Sequence, residues 1–287
     1  MRTVVVTGAS TGIGWATSKV LLDRGFRVFG SVRKQSDADR LKQEFGENFT
    51  PLVFDVTDEA AVRVAADAVR AALNGETLAG LVNNAGIAVS GPAFEMPLSD
   101  FKKQIDVNVV GPFIATQAFG PLLRADPALK GPSGRIVMMS SVAGQNGNPL
   151  LSPYSTSKHA LEGMSESLRR ELMLYGIDVV VIGPGAVKTP IWEKAEEVDI
   201  SIYQSSPFFP ALERMRGYML KMADGGLPAD RIGEAVHAAL TLPRPKVRYE
   251  LSPEPFRMLM MRILPKRVID GIIAKRLGLL PKDRAST

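Results

Sequence analysis

Residues 3–14 have the sequence TVVVTGASTGIG, in which a β-branched run passes through a turn with three glycines into a helical pattern. Glycines at a strand-to-helix turn allow a tight bend and a close approach of the backbone to a pyrophosphate. The free N–H groups and the positive dipole end of the following helix stabilise that anionic group. We therefore predict that this turn binds a dinucleotide at the first βα junction of an α/β fold. The expected contacts are Gly8, Ser10, Thr11, Gly12, Ile13 and Gly14.

The rest of the chain repeats this alternation of short apolar runs and longer helical patterns. Such alternation predicts βαβ units with helices on both faces of a parallel sheet. Strands are expected at Thr3–Thr7, Arg27–Val32, Thr50–Phe54, Gly80–Asn83, Arg135–Met139, Asp178–Ile182 and Val247–Leu251. Helices are expected at Gly12–Arg24, Asp37–Phe45, Glu59–Leu73, Ser99–Leu123, Pro153–Leu174 and Arg231–Leu242. The predicted fold class is α/β, a doubly wound Rossmann-type parallel sheet of seven strands with a C-terminal helical extension.

Two regions depart from this regular alternation. Pro112 and Pro121 lie inside the long fourth helix, where proline removes a backbone donor and is expected to kink or end the helix. Residues 190–227 mix prolines, aromatic residues and charges without a clean period, which is typical of either a mobile flap over a site or a plain surface excursion. We predict one domain over residues 1–250, which contains this flap, and an extension over residues 251–287.

The composition limits the chemistry and the partners of the chain. Its 287 residues include no cysteine, which excludes disulfides, thiolate metal sites and cysteine nucleophiles, and we expect no metal site. The net charge of +5 comes from residues 244–284, which hold 11 Lys or Arg against 4 Asp or Glu, so we expect no nucleic-acid partner. A β-type run begins at Thr3, and no apolar run approaches the roughly 18 residues of a membrane span. We therefore predict a cytoplasmic protein with neither a secretion signal nor a transmembrane helix.

Four further motifs follow the glycine-rich turn in order. Asp55-Val56 follows the third predicted strand, NNAG at residues 83–86 the fourth, YSTSK at residues 154–158 the fifth, and PGAVKT at residues 184–189 the sixth. Together with the G-x-x-x-G-x-G spacing of the first turn, they resemble the short-chain dehydrogenase/reductase family over residues 3–190. The resemblance implies further contacts with a nicotinamide dinucleotide at Asp55, Val56, Asn83, Ala85, Gly86, Pro184, Gly185, Val187 and Thr189.

Tyr154 and Lys158 are four residues apart and therefore lie on one face of a helix. A phenol with an ordinary pKa of about 10 is a poor base at neutral pH, and a nearby ammonium stabilises its phenolate form. The resemblance implies that Tyr154 exchanges a proton with the substrate and that Lys158 holds the nicotinamide ribose. It also implies that Ser141 hydrogen-bonds the substrate oxygen and that Asn108 holds a water in a proton relay. Ser140 is the competing candidate for the serine.

The end of the second predicted strand bears on the choice between NADP(H) and NAD(H). In NAD-dependent relatives an acidic residue at this position binds the ribose 2′-hydroxyl and repels a 2′-phosphate. This chain has Val32 there, followed by Arg33 and Lys34, and a guanidinium can bind a phosphate through two hydrogen bonds. We therefore predict that NADP(H) is preferred and that Arg33 binds its 2′-phosphate. NAD(H) stays the alternative, because Thr11 stands where NADP-preferring relatives often carry a second basic residue.

The resemblance implies that the substrate is a ketone or a secondary alcohol. Leu150 and Leu151, with the apolar residues of the predicted flap, favour a bulky apolar compound of the steroid, retinoid or aryl type, while fatty-acyl and sugar substrates stay open. The competing hypothesis is a catalytically silent regulatory or scaffold protein that binds a nucleotide with the same fold. The resemblance also implies a homodimer, paired through the helices near Ser99–Leu123 and Pro153–Leu174.

The C-terminal extension contains two predicted amphipathic helices, Pro255–Leu264 and Val268–Leu277, which Pro265 separates. Methionines and branched aliphatic residues share one face, and Lys and Arg interleave with them. That apolar face has to be buried against the body of the protein, a partner or a lipid surface. We predict that the extension borders the substrate entrance, with peripheral membrane contact as the second hypothesis.

Overall fold

A computed structural model describes residues 1–189 and 199–281 of the chain. The strands are β1 (Thr3–Val6), β2 (Arg27–Val32), β3 (Phe49–Val53), β4 (Gly80–Asn83), β5 (Arg135–Met139), β6 (Asp178–Pro184), β7 (Val187–Lys188), β8 (Leu227–Pro228) and β9 (Arg248–Leu251). The α-helices of the described ranges are α1 (Gly12–Asp23), α2 (Gln35–Phe45), α3 (Glu59–Leu73), α4 (Leu98–Ile105), α5 (Gly111–Phe119), α6 (Ser152–Glu171), α7 (Phe209–Asp224), α8 (Ala229–Thr241), α9 (Pro255–Ile263) and α10 (Lys266–Leu277).

Seven of these strands form one parallel sheet in the order β3-β2-β1-β4-β5-β6-β9. The order reverses between β1 and β4, since the chain moves outward to β3 and then returns to pair β4 with the other edge of β1. Ligands of open α/β sheets bind outside the carboxyl ends of the strands at such a switch point. The glycine-rich turn after β1 and the NNAG turn after β4 both lie there. The predicted doubly wound Rossmann-type fold is confirmed.

Two apolar layers cover the two faces of the sheet. On one face α3, α5 and α6 pack through residues such as Val69, Phe119 and Leu161. On the other face α1 and α8 pack through Leu21 and Val236. Strands that are buried on both faces have near-continuous apolar sequences, and β1 (TVVV) and β6 (DVVVIGP) show this.

The predicted fourth helix is interrupted at the two places that its prolines indicated. A π-helical turn over Asp106–Val110 separates α4 from α5, directly before Pro112, and Pro121 lies in a closing 3₁₀ turn over Gly120–Leu123. The π turn accommodates the missing N–H of Pro112, since the chain shifts register there instead of breaking. This turn carries Asn108, and π turns are frequent at functional sites.

Residues 190–227 show no clean period in the sequence, yet the part that the structure describes contains a regular helix. Residues 209–224 form α7, a helix of 16 residues with Pro210 in its first turn, where proline is well tolerated. Its buried residues Ala211, Leu212 and Met215 follow helical spacing. Residues 190–198 of the predicted flap lie outside the described residues, as do residues 282–287 of the extension.

The C-terminal extension forms the two predicted helices, α9 and α10, on either side of Pro265. Met258, Ile269 and Leu277 are buried, and Leu277 belongs to a small apolar cluster with Leu150 and with residues of α7. One side of the extension therefore packs on the body, next to the loop that precedes α6. Among the described helices, none is both long and apolar enough to cross a membrane.

Candidate active site

The glycine-rich turn forms the first wall of the site. Gly8 and Gly12 have φ values of +67° and +60°, which side chains other than glycine rarely adopt. A Cβ on Gly14 would lie 2.1 Å from the Gly8 carbonyl oxygen, so the start of α1 packs directly on the turn. Thr11 precedes α1, and the helix N-terminus opens toward the carboxyl end of the sheet. This is the geometry that a pyrophosphate requires.

Asn84 ties this turn to the end of β4. Its Nδ2 donates to the carbonyl oxygens of Thr7 at 2.9 Å and Gly8 at 3.1 Å, and the Thr7 hydroxyl oxygen accepts from the N–H groups of Asn84 and Ala85. Sequence analysis did not select Asn84 as a site residue, although it stands in the NNAG motif. The side chain of the preceding Asn83 is buried and donates to Thr116 at 3.1 Å, so it faces the core. A cofactor contact at Asn83 is therefore expected from its backbone.

Asp55 and Arg33 form the second wall, at the ends of β3 and β2. Burial pushes the pKa of the Asp55 carboxyl upward, but two hydrogen bonds from Thr57 and the positive charge of Arg33 outweigh this effect. The net result is a pKa below its usual value, so Asp55 is ionised at neutral pH. Val56 is buried against Gly111, whose Cβ would lie 2.8 Å from a Val56 methyl group. Packing on Gly111 therefore holds Val56 in place after β3.

A second guanidinium lies beside this wall, and sequence analysis missed it. Arg40 on α2 donates to the Ser10 carbonyl oxygen at 2.7 Å, while its other contacts are the carboxylates of Asp37 and Glu44. Arg33 and Arg40 are both exposed. The only sequence signal for Arg40 was a basic residue in the middle of α2. Whether its side chain reaches the glycine-rich turn depends on how α2 packs.

The PGAVKT segment closes the site from the opposite side. A Cβ on Gly12 would lie 3.4 Å from the Thr189 side chain, so this threonine faces the glycine-rich turn. The Pro184 carbonyl oxygen accepts from the Ser141 hydroxyl at 3.4 Å, and the Gly185 N–H donates to Leu251 at 2.7 Å. Val187 is buried and pairs with Leu227 of β8. The PGAVKT segment thus lies next to both the glycine-rich turn and Ser141.

The catalytic candidates meet where β5 ends and α6 begins. Ser141 directly follows the residue after β5, close enough to Tyr154 for its hydrogen bonding to act on the phenol pKa. The Lys158 ammonium lies 5.7 Å from the centre of the Tyr154 ring and donates to the Met139 carbonyl oxygen at 2.7 Å. The Ser140 hydroxyl is buried and has no hydrogen-bond partner among the described residues. The structure therefore places Ser141, and not Ser140, beside Tyr154.

Burial dominates the electrostatics of these groups. It raises the pKa of the Tyr154 phenol, and the hydrogen bond with Ser141 opposes that rise. It lowers the pKa of Lys158 to about 8, and the negative charge of Glu162 opposes that fall. The protein by itself thus keeps the phenol protonated at neutral pH, which suits a proton donor. The lower phenol pKa that we expected for a base is therefore not found in the protein by itself.

Asn108 holds the loop after β4 against α6. Its Oδ1 accepts from the Ile87 N–H at 2.9 Å, and its Nδ2 donates to the Ile87 carbonyl oxygen at 3.0 Å and to the Ser157 hydroxyl at 3.1 Å. Ser157 precedes Lys158 and donates to the Tyr154 carbonyl oxygen at 2.8 Å. Asn108 is therefore linked through α6 to the backbone of the catalytic tyrosine candidate, as well as being a candidate for the proton relay.

Comparison with known proteins agrees with this geometry. The sequence profile of the short chain dehydrogenases matches residues 2–199. This chain belongs to the short-chain dehydrogenase/reductase family. As a member of that family it is an oxidoreductase, which is the class that its Tyr154, Lys158 and Ser141 arrangement suits. The resemblance that the motifs indicated is thereby confirmed.

Three relatives show how far the similarity extends. An NADPH-dependent 3-dehydrocapnine reductase from Ornithobacterium rhinotracheale is 37% identical over 284 residues, which cover 99% of this chain and 100% of the relative. Retinol dehydrogenase 7 from Rattus norvegicus is 30% identical, with 94% of this chain and 87% of the relative covered. A solved short-chain dehydrogenase/reductase from Burkholderia phymatum in complex with NAD has a TM-score of 0.77 at 22% identity, over 100% of this chain and 98% of that chain. At this identity, the similarity to the Burkholderia phymatum protein shows a shared fold and nothing more.

Proposed function

We propose that this family member is an NADP(H)-preferring oxidoreductase that interconverts a bulky apolar ketone and its secondary alcohol. The observation that carries the proposal is the hydrogen bonding of Ser141 with Tyr154, on the helix that also carries the buried Lys158. Bound NADP(H) supplies or accepts the hydride. In the reductive direction Ser141 donates a hydrogen bond to the substrate carbonyl oxygen, and Tyr154 transfers its proton to that oxygen as the alcohol forms.

Lys158 and Asn108 support this proton transfer. Once the Tyr154 phenolate has formed, the ammonium of Lys158 stabilises it until a proton arrives from solvent. We propose that Asn108, on the π turn next to α6, holds a water molecule. This water would connect Lys158 with solvent. In the oxidative direction the same groups act in reverse, with Tyr154 accepting the proton of the alcohol.

The preference for NADP(H) is supported by two guanidinium groups. Arg33 follows the position at which an acidic residue would repel a 2′-phosphate, and Arg40 reaches the glycine-rich turn from α2. Charge-assisted hydrogen bonds to phosphate are among the strongest that proteins form. The similar reductase from Ornithobacterium rhinotracheale is named as NADPH-dependent. We propose that both arginines bind the 2′-phosphate and that NAD(H) is the weaker cofactor.

An apolar substrate is supported by the surroundings of the N-terminus of α6. Leu150 and Leu151 directly precede this helix, and they pack with Phe208 and Phe209 at the start of α7. Two of the relatives are named for a dehydrocapnine and for retinol. We propose a ketone or alcohol with a large apolar body, such as a steroid-like, retinoid-like or aryl compound.

Turnover assays with a panel of substrates test this proposal. The panel contains small ketones, bulky aryl and steroid ketones, retinoids and the matching alcohols, each with NADP(H) and NAD(H). We expect the highest kcat/KM for bulky apolar compounds with NADP(H). Binding of NADP(H) without turnover of any compound would instead favour the second candidate function, a catalytically silent nucleotide-binding regulator or scaffold.

We propose that the outward side of the C-terminal extension contacts an anionic lipid surface. Phe256, Ile263 and Ile272 are exposed by 72%, 64% and 57%, and the exposed cations Lys266 and Arg267 lie between them. Apolar side chains next to cations suit an anionic bilayer, and such attraction weakens as salt rises. The protein would then be located in the cytoplasm, at the membrane periphery, where apolar substrates accumulate. Sedimentation with phosphatidylserine vesicles is expected to be salt-sensitive and lost in Ile272→Glu.

We propose a homodimer that pairs through α4, α5 and α6. Val110 and Phe113 are three residues apart on one helical face, and both are more than 40% exposed. A two-fold axis would pair this face with the same face of a second copy. We expect light scattering to show a dimer at micromolar concentration and a monomer in Phe113→Glu, and a monomeric unaltered protein would contradict the pairing.

A further inference from the structure

Arg248 on β9 contacts both the Ser141 backbone and the helix that carries Tyr154 and Lys158. Its Nη2 donates to the Ser141 carbonyl oxygen at 3.2 Å, and its Nε donates to the two Glu162 carboxylate oxygens at 3.2 and 3.3 Å. Glu162 lies on α6 one turn after Lys158 and two turns after Tyr154. A single guanidinium therefore joins the segment of Ser141 to the helix of Tyr154 and Lys158.

The surroundings of Arg248 are shaped to hold it. Its side chain is 14% exposed and that of Glu162 is 19% exposed, so solvent screens this ion pair less than the surface pairs of the chain. A Cβ on Gly183 of β6 would lie 2.3 Å from the Arg248 Nη2, and a Cβ on Gly144 would lie 3.0 Å from the Glu162 carboxylate. The absence of side chains at these two glycines makes room for the pair.

The same guanidinium is linked to the C-terminal extension. Its Nη1 donates to Glu250 at 3.0 Å, and Glu250 also accepts from Arg262 of α9. Arg262 in turn donates to the Gln145 side chain at 2.8 Å, in the loop between Ser141 and Tyr154. The contacts run from the extension through β9 to Ser141 and α6, and the family resemblance assigned no role to Arg248, Glu250 or Arg262.

We propose that Arg248 is a positioning residue that fixes the distance between the Ser141 hydroxyl and the Tyr154 hydroxyl by bridging the Ser141 backbone to Glu162. This proposal rests on the proposed function, since it concerns the geometry of the same proton transfer. Ser141 follows β5 and Tyr154 lies in the first turn of α6, so their relative position depends on how a loop and a helix sit relative to each other. Misplacement of a reacting group by about 1 Å can lower the rate about 100-fold.

Four variants test the proposal in the full-length protein. Arg248→Met removes the bridge, Arg248→Lys keeps the charge but loses the fork of donors, and Glu162→Gln keeps the shape of one partner without its charge. Gly183→Ala is expected to displace the guanidinium without changing any charge. The matched control is Arg24→Met, which removes the exposed ion pair between α1 and α8 that Arg24 makes with Glu234 at 3.0 Å. For each variant the thermal midpoint, the NADP(H) dissociation constant, KM and kcat are measured with the best ketone of the panel.

We expect kcat to fall about 10- to 100-fold in Arg248→Met and Gly183→Ala, and less in Arg248→Lys. The NADP(H) dissociation constant and KM should change less than kcat, because the bridge contacts neither ligand. A folded Arg248→Met or Gly183→Ala variant with kcat within about threefold of the unaltered protein would overturn the proposal. Equal losses of kcat in Arg248→Lys and Arg248→Met would overturn the expectation that a positive charge at position 248 preserves part of the bridge. If Arg248→Met does not fold, Gly183→Ala and Glu162→Gln decide the question.

An unaltered protein that turns over no compound of the panel would instead refute the proposed function. The two failures are therefore distinguishable, because the positioning role is tested only by comparing variants with an active parent. The Arg24→Met control is expected to keep the kcat of the parent, so a general sensitivity to the loss of ion pairs would be recognised.

Discussion

The Lys158 ammonium donates to the Met139 carbonyl oxygen at 2.7 Å and thereby joins the middle of α6 to the last residue of β5. Met139 is two residues before Ser141, so this bond and the Arg248 bridge hold the same segment from two sides. Burial of the ammonium lowers the pKa of Lys158 to about 8, although the negative charge of Glu162 opposes that fall. Because the pKa of Lys158 differs between the folded and unfolded states, the stability of the protein should depend on pH.

The first prediction concerns stability as a function of pH. Lys158 has an ordinary pKa of 10.5 when unfolded and about 8 when folded, so between these values the unfolded state binds the extra proton. The free energy of unfolding contributed by Lys158 should therefore rise as the pH rises from 8 to 10.5, by about 3 kcal/mol. Chemical denaturation of the unaltered protein and of Lys158→Met across this range measures the difference. A difference between the two proteins that does not change with pH would contradict the lowered pKa.

The second prediction concerns cofactor choice. A hydrogen bond to a charged group contributes about 1.5 to 3 kcal/mol, so Arg33→Ala and Arg40→Ala should each raise the NADP(H) dissociation constant about 10- to 150-fold. The dissociation constant of NAD(H) should barely change, since it has no 2′-phosphate. Isothermal titration calorimetry measures both, with Arg63→Ala on α3 as the surface control. A preference of the unaltered protein for NAD(H) would refute the assignment.

The third prediction concerns Asn108. Its side chain is 1% exposed and makes three hydrogen bonds, so Asn108→Ala leaves the Ile87 backbone groups without their partner. Loss of such buried bonds should lower the free energy of unfolding by about 2 to 4 kcal/mol. Denaturant titration is the measurement, and Gln43→Ala on the exposed side of α2 is the control. Equal stability of the two variants would show that Asn108 does not hold the loop.

The fourth prediction separates the two sides of α10. Ile273 packs on the cluster that contains Leu150, whereas the neighbouring Ile272 is 57% exposed. Ile273→Ala should therefore lower kcat/KM for bulky ketones more than for small ones, because it loosens the apolar wall before α6. Ile272→Ala should leave both values unchanged. The same profile in both variants would mean that the extension does not border the substrate entrance.

Sequence patterns predicted most strands and helices of residues 1–189, because the local preferences of the residues there agree with their packing in the fold. The β-branched runs predicted all seven strands of the sheet, and Pro112 predicted the interruption that the π turn provides. Helix α7 was missed, because aromatic and proline residues at its start obscured the spacing of Ala211, Leu212 and Met215. Within the site, motifs placed Ser141, Tyr154 and Lys158 together.

Residues whose roles depend on packing between distant elements could not be predicted. Arg40 contacts Ser10 across 30 positions, and Arg248 contacts Ser141 across 107 positions. Nothing in the local sequence of either arginine indicates its partner. The side chain of Asn83 faces the core, and its motif gave no indication of that packing.

The proton transfer assigned to Tyr154 is tested most directly by turnover of the Tyr154→Phe variant at saturating NADP(H). The substitution removes the transferable proton and keeps the ring, so the NADP(H) dissociation constant and the thermal midpoint should stay close to those of the unaltered protein. Turnover of the best ketone should fall at least about 100-fold, as expected for the loss of a positioned acid. A Tyr154→Phe variant that retains more than about a hundredth of the original kcat would contradict the account.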